Sequence, residues 1–148
     1  MGSLFSALTV SATGMAAQRT RAALLVENIA NSETTRTPEG GPYRRKDAIF
    51  TTQDVGSAFG SELNSQLGVG QQLTGVAVAG ISVDQSAPEK RYMPGHPDAD
   101  ADGYVSIPKV NPAEDMVDLV GANRSYQANV AAMSAVKDMI QKSIDLLK

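Results

Sequence analysis

Hydrophobic residues recur by threes and fours from Leu4 to Ile29: Leu4, Phe5, Leu8, Ala12, Met15, Ala22, Leu25, Val26 and Ile29. That period predicts a helix with one apolar stripe. Asn31 supplies a left-handed stop, and Ser32 to Pro38 a breaker, so the helix is expected to end near Asn31. Toward the other end, Asn111 suits a helix cap, Pro112 the first helical position and Glu114 the reciprocal capping position. From there a second helix is expected to run to the C-terminus. Leu119, Tyr126, Met133, Ile140 and Leu147 form one heptad row, and Met116, Asn123, Val130, Lys137 and Ile144 form its companion. Glu114, Asp115 and Asp118 at its start and Lys137, Lys142 and Lys148 toward its end complement the helix dipole. About 37 helical residues would span roughly 55 Å. A seam of that length outgrows the middle of the chain and needs partners. The N-terminal stripe of the same chain comes first, and neighbouring copies next.

Between the helices the period changes to two. Tyr43 to Thr52 is a strand candidate after the Gly40-Gly41-Pro42 turn. Val76 and Val78 alternate before a bulge at Gly80, Ile81 and Val83 continue, and Tyr104 to Ile107 is a third strand. Gln53 to Gly75, rich in Gly, Ser, Gln and Leu, reads as a loop or weakly ordered insertion. The fold class that results is α+β, with long N- and C-terminal helices forming a coiled-coil-like stem and a small antiparallel β region in the middle. The expected division is residues 1–36 for the first helix of an inner stem, 37–110 for an outward β and loop region with 53–75 as its flexible loop, and 111–148 for the second stem helix.

Composition supports an extended architecture over a ball with a large core. The 148 residues include 3 phenylalanines, 4 tyrosines and no tryptophan, so large buried anchors are scarce. A net charge of −3 gives no broad field to attract nucleic acid or an anionic membrane. The one basic run, Arg44-Arg45-Lys46, reads as a solvated strand edge that discourages wrong pairing. With no cysteine, disulfides, thiolate nucleophiles and cysteine-bound zinc drop out. No stretch reaches the ~20 apolar residues of a membrane span, and the N-terminus lacks the pattern of a cleaved secretory signal.

Candidate chemistry is thin. Asp98-Ala99-Asp100-Ala101-Asp102-Gly103 matches the first half of a calcium loop, with carboxylates at alternate positions and glycine sixth. Its second half fails, because Lys109 stands where a bidentate glutamate should complete the coordination. A calcium-binding adhesive or regulatory module built on this turn is the alternative function, against a plain carboxylate-rich turn. His96, the only histidine, lies in the turn Pro94-Gly95-His96-Pro97 with no nucleophile elbow to serve it. No metal site, cofactor or catalytic constellation is expected, and an enzyme is the weakest candidate. Asn123 sits in the heptad seam beside Arg124. It is either part of a solvated face or a buried amide that fixes register at a cost in stability.

These residues resemble the axial proteins of the bacterial flagellum, and among them the subunits of the proximal rod. The first helix carries Ser11-Ala12-Thr13-Gly14-Met15, then Gln18, then Asn28-Ile29-Ala30-Asn31, followed by Thr34-Thr35-Arg36-Thr37-Pro38. Three further stretches point the same way: Pro38 to Lys46, Pro94 to Asp100, and Glu114 to Asp118 continuing to Arg124 to Val130. Glu27, where the family usually has asparagine, and Gln127, in place of a common glutamate, depart from the pattern. The resemblance implies a non-enzymatic subunit of a hollow drive shaft that transmits torque and surrounds an export channel. Its partners would be further copies of itself, other rod proteins, the membrane-ring and rod-junction proteins, and the flagellar export apparatus. Its location would be the basal-body rod within the periplasm, reached without a cleaved signal. The expected assembly interface comprises Leu8, Met15, Ile29, Asn31, Leu119, Asn123, Tyr126, Val130, Met133 and Ile140.

Overall fold

The computed structural model describes residues 2–55 and 74–146. Two long helices bracket four strands: α1 (Gly2–Ala30), β1 (Lys46–Asp54), β2 (Thr74–Val83), β3 (Glu89–Tyr92), β4 (Tyr104–Ile107) and α2 (Pro112–Asp145). β1 pairs with β2, and β3 with β4, as separate two-stranded sheets. The α+β class holds. The central part of the expected 53–75 loop lies outside the described residues, while Gln53 and Asp54 finish β1, and Thr74 and Gly75 begin β2. Leu147, the last position of the heptad row, is also outside them.

Both helix boundaries have side-chain causes. Asn111 Oδ1 accepts from the Ala113 amide at 3.2 Å, so the cap read from the sequence forms, with Pro112 at the first helical position. At the end of α1 the expected left-handed residue is absent: every described residue with a positive φ is a glycine. Asn31 stops the helix through its side chain instead. Its Nδ2 donates to the Glu27 carbonyl at 2.9 Å, and its Oδ1 accepts from the Thr34 hydroxyl at 3.1 Å. These bonds offer the chain a non-helical alternative without a left-handed backbone.

Two compact units emerge, and each takes a stretch of both helices. One contains the described parts of residues 1–20, 50–79 and 122–148. Within it Gly14 lies against the Asn129 side chain, where a Cβ would stand 3.1 Å from Nδ2. Thr13 accepts from the Val76 amide at 3.2 Å. A Cβ on Gly75 would stand only 2.6 Å from the Thr13 hydroxyl and 2.8 Å from Val55, so glycine is what lets β2 start against α1. Ala17, Ala122 and Val136 are the buried apolar side chains of this unit.

The other unit contains residues 21–49 and 80–121. Its core is small: Leu24, Leu25, Tyr43 and a fully enclosed Val105. β3 and β4 form an antiparallel hairpin with Glu89 opposite Ile107 and Tyr92 opposite Tyr104, whose rings meet edge to face at 5.3 Å between centroids. β4 matches the expected third strand. β3 was not foreseen, because Glu-Lys-Arg-Tyr has no apolar alternation and all four residues are exposed. β1 starts three residues later than expected, since Tyr43 is held in the core by α1 rather than in a ladder.

Candidate functional site

The roots of the two helices, the end of α1 and the start of α2, meet in the second unit around residues 43–47. Asn28, on the last turn of α1, is fully buried. Its Nδ2 donates to the Lys46 carbonyl at 2.9 Å, and its Oδ1 accepts from the Lys46 amide at 3.0 Å. The amide thus pairs with one backbone residue in both directions, as a neighbouring strand would. The Tyr43 hydroxyl donates to the same Oδ1 at 2.9 Å. Burial, with Glu27, Asp115 and Asp47 nearby, pushes the Tyr43 phenol up to about 12, so it stays a donor across the physiological range. Lys46 pairs with Glu27 and sits over the Tyr43 ring at 5.7 Å.

Asp115, in the first turns of α2, is also fully buried. The Arg45 guanidinium lies 2.9 Å from its Oδ1, but neither carboxylate oxygen has a hydrogen bond within the protein. The contact is therefore a charge contact that leaves the carboxylate poorly solvated. Burial raises the Asp115 carboxyl, Arg45 opposes that, and Asp47, Asp118 and Glu114 add to it. Burial also works against the Arg45 charge, but Asp47 at 3.2 Å and Asp115 overcome it and hold the guanidinium protonated. Arg21 of α1 reaches Asp118 of α2 at 3.2 Å. Three hydrogen bonds at Asn28 and three ion pairs thus join α1, residues 43–47 and α2.

Of the expected interface residues, Leu8, Met15, Ile29, Asn31, Leu119, Met133 and Ile140 are half-buried, whereas Asn123, Tyr126 and Val130 are exposed. The buried polar residues are Asn28 and Asp115, not the Asn123 that the heptad pattern offered for that role. The innermost row of α2 runs Asp115, Ala122 and Val136, with Asn129 half-buried between them, and the companion row Met116, Asn123, Val130, Lys137 and Ile144 faces out. The solvated-edge reading of Arg44-Arg45-Lys46 holds for the exposed Arg44 alone, which bonds Gln85 at 3.0 Å. Arg45 and Lys46 are ion-paired inside the unit.

The acidic turn has its own internal function. Thr35 donates to Asp98 at 2.7 Å and Arg36 pairs with it; Asp100 Oδ1 accepts from the Tyr104 and Asp102 amides. Gly103 adopts φ +81°, and a Cβ there would stand 2.9 Å from the Tyr92 ring. Asp100 stitches the β3–β4 hairpin while Asp98 ties its loop to Thr35 and Arg36, and the described residues bring together no cluster of three metal-ligating side chains.

Long terminal helices, a sparse core and polar ties at the helix roots suit a structural subunit that resembles the flagellar axial class. In agreement, the family model "Flagellar basal body rod FlgEFG protein C-terminal" matches residues 101–146, which cover β4 and α2. Over nearly its whole length the chain is 45% identical to the flagellar basal-body rod protein FlgC of Bacillus subtilis, covering 97% of this chain and 98% of that one. It is 41% identical to FlgC of Borreliella burgdorferi, covering 98% of each chain, and 35% identical to that of Salmonella typhimurium, covering 97% of each. The chain belongs to the FlgC family of flagellar basal-body rod proteins, whose members are structural subunits rather than enzymes.

Proposed function

We propose that this chain builds the proximal part of the flagellar rod, where it packs against further copies of itself and other rod proteins to form a hollow shaft. The shaft carries torque and encloses the path of exported subunits. In this reading residues 1–36 and 111–148 form the inner stem and residues 37–110 face outward. The rod lies within the periplasm, touches the membrane-ring and rod-junction proteins, and receives this chain through the flagellar export apparatus without a cleaved signal.

The observation that carries the reading is the exposed side of α2. Met116, Val117, Val120, Val130 and Met139 are each between 45% and 72% exposed. An amphipathic helix that had found all its partners in its own chain would place polar residues there. Leu8, Met15 and Ile29 along α1, with Asn31 at its end, and Leu119, Asn123, Tyr126, Val130, Met133 and Ile140 along α2 form the contact set. The exposed members meet neighbours directly, and the half-buried ones back them. No helix among the described residues is long and apolar enough to cross a membrane.

Electron microscopy of basal bodies from a strain lacking this gene tests the assignment. Membrane rings without rod, hook or filament are the expected result. Complete flagella in the absence of a close paralogue would overturn it.

A further inference from the structure

The seam between α1 and α2 is built from repeating parts. On α2 the inward row Asp115, Ala122, Asn129 and Val136 recurs every seven residues, and on α1 the buried Ala17 and Leu24 stand seven apart. Periodic rows fit nearly as well after a slip of one heptad, about 10 Å along the axis. Small residues add no steric peg: Ala17 and Ala122 are among the few buried apolar side chains.

The buried polar residues do not repeat. A one-heptad slip of α1 brings Arg21, or chain beyond the helix end at Ala30, to the place of Asn28, and neither supplies an amide held to pair with the Lys46 backbone in both directions. A one-heptad slip of α2 brings Ala122, or chain before the helix start at Pro112, to the place of Asp115, so that Arg45 loses its buried counter-charge. We infer that Asn28 and Asp115, held by Tyr43, Arg45 and Lys46, are positioning residues that lock the register of α1 against α2. They act by making every slipped pairing bury an unmatched polar group. The Arg45–Asp115 contact is suited to this work and poorly suited to raising stability, because its carboxylate is enclosed without a hydrogen bond. The consequence for assembly, that only the locked register presents the outer face of α2 at the right height to a neighbour, rests on the rod reading above. The lock itself does not.

The chain has no cysteine, so register can be read by introduced pairs in the purified full-length protein. Gly14→Cys with Asn129→Cys reports the native register, since a Cβ at position 14 already lies 3.4 Å from Asn129 Cγ. Gly14→Cys paired with Ala122→Cys or with Val136→Cys reports the slipped ones. With the native lock, oxidation should give the 14–129 disulfide and little of the other two. Replacing the ion pair by apolar groups, Arg45→Met with Asp115→Leu, should raise a slipped disulfide about fivefold or more relative to 14–129, and adding Asn28→Leu should raise it further. Asp115→Asn, the mildest variant, should shift the ratio in the same direction. A ratio unchanged in all these variants would overturn the lock. So would loss of cooperative unfolding in the Arg45→Met, Asp115→Leu protein, because the pair would then be holding the fold rather than its register. Failure of the 14–129 disulfide to form with the native lock would do the same. None of these outcomes depends on what electron microscopy shows of the rod, so the two readings fail separately.

Discussion

Asn28→Ala offers a stringent test of the helix-root site. The substitution removes three hydrogen bonds, between 2.9 and 3.0 Å long, from a side chain with no solvent exposure. It orphans the Tyr43 hydroxyl and both backbone groups of Lys46. An unsatisfied buried polar group costs ~1–3 kcal/mol, and the two Lys46 groups, being only partly buried, recover some of that from water. The expected loss is therefore ~3–5 kcal/mol, a large fraction of the ~5–15 kcal/mol that holds a typical domain folded. Tyr43→Phe removes one donor and leaves Asn28 Oδ1 with the Lys46 amide, so it should cost only ~1 kcal/mol. Urea unfolding followed by circular dichroism reads both. In the double variant the Tyr43 hydroxyl is no longer there to be orphaned, so the combined loss should fall short of the sum by ~1 kcal/mol or more. A loss below ~1 kcal/mol for Asn28→Ala, or strict additivity in the double variant, would refute the account of a shared buried network.

Further predictions follow from single features. Because the Tyr43 phenol is pushed from 10.0 up to about 12, the folded state keeps a proton that the unfolded chain releases. Stability should therefore fall as pH rises from 10 toward 12, by up to ~1.4 kcal/mol per pH unit from this group, and Tyr43→Phe should remove that part of the slope. Asp115 acts with the same sign at the acid end: its carboxyl is raised, so lowering the pH relieves a buried charge. Asp115→Asn relieves that charge but takes from Arg45 its buried counter-charge and leaves it Asp47, so thermal stability near pH 7 should change by less than ~1 kcal/mol, as a melting curve will show. Gly103→Ala forces a left-handed alanine into contact with Tyr92 and Pro94 and should cost ~2–3 kcal/mol in the same denaturation assay. Val130→Lys, at an exposed position, should melt like the parent chain yet fail to restore swimming to the deletion strain. Met133→Lys, at a half-buried position, should lower the melting temperature as well.

The helices were legible because they are long and their signals redundant: an apolar period for α1, and a cap, a proline and a charge gradient for α2. β4 was legible because Tyr-Val-Ser-Ile alternates and its Val105 is enclosed. β3 was hidden, since an exposed four-residue strand is specified by its partner and not by its own pattern. The polar site was hidden for a related reason. Asn28 stood out only as part of a family motif and Asp115 as a dipole complement, while Arg45 and Lys46 looked like a solvated edge. Their roles arise from contacts 18 residues apart in one case and 70 in the other (115 − 45), and no local period records such pairing. One signal was available in the sequence: Asn28 falls four residues after Leu24 and three after Leu25, on their face of the helix, and a polar residue on a buried face calls for a partner.

The two helices differ in what they leave exposed, and the difference bears on how such subunits join. Along α1 the exposed positions are Ala12, Ala16, Ala23 and Ala30, interleaved with Thr9, Arg19 and Val26, so small residues leave hollows between larger ones. Along α2 they include Met116, Val117, Val120, Val130 and Met139, which project further. Projecting side chains gain most when they settle into hollows between neighbours, and the alanines of α1 supply such hollows, so an α2 face is better matched to an α1 face than to another α2 face. Contact between unlike faces of identical subunits is heterologous, and such contacts repeat into rings or open helical arrays. Contact between like faces is isologous and stops at a dimer. Under the rod reading, the first kind is required. A register lock inside each subunit then has a purpose that stability does not explain: an error of one heptad, repeated from subunit to subunit, would be carried along the whole array.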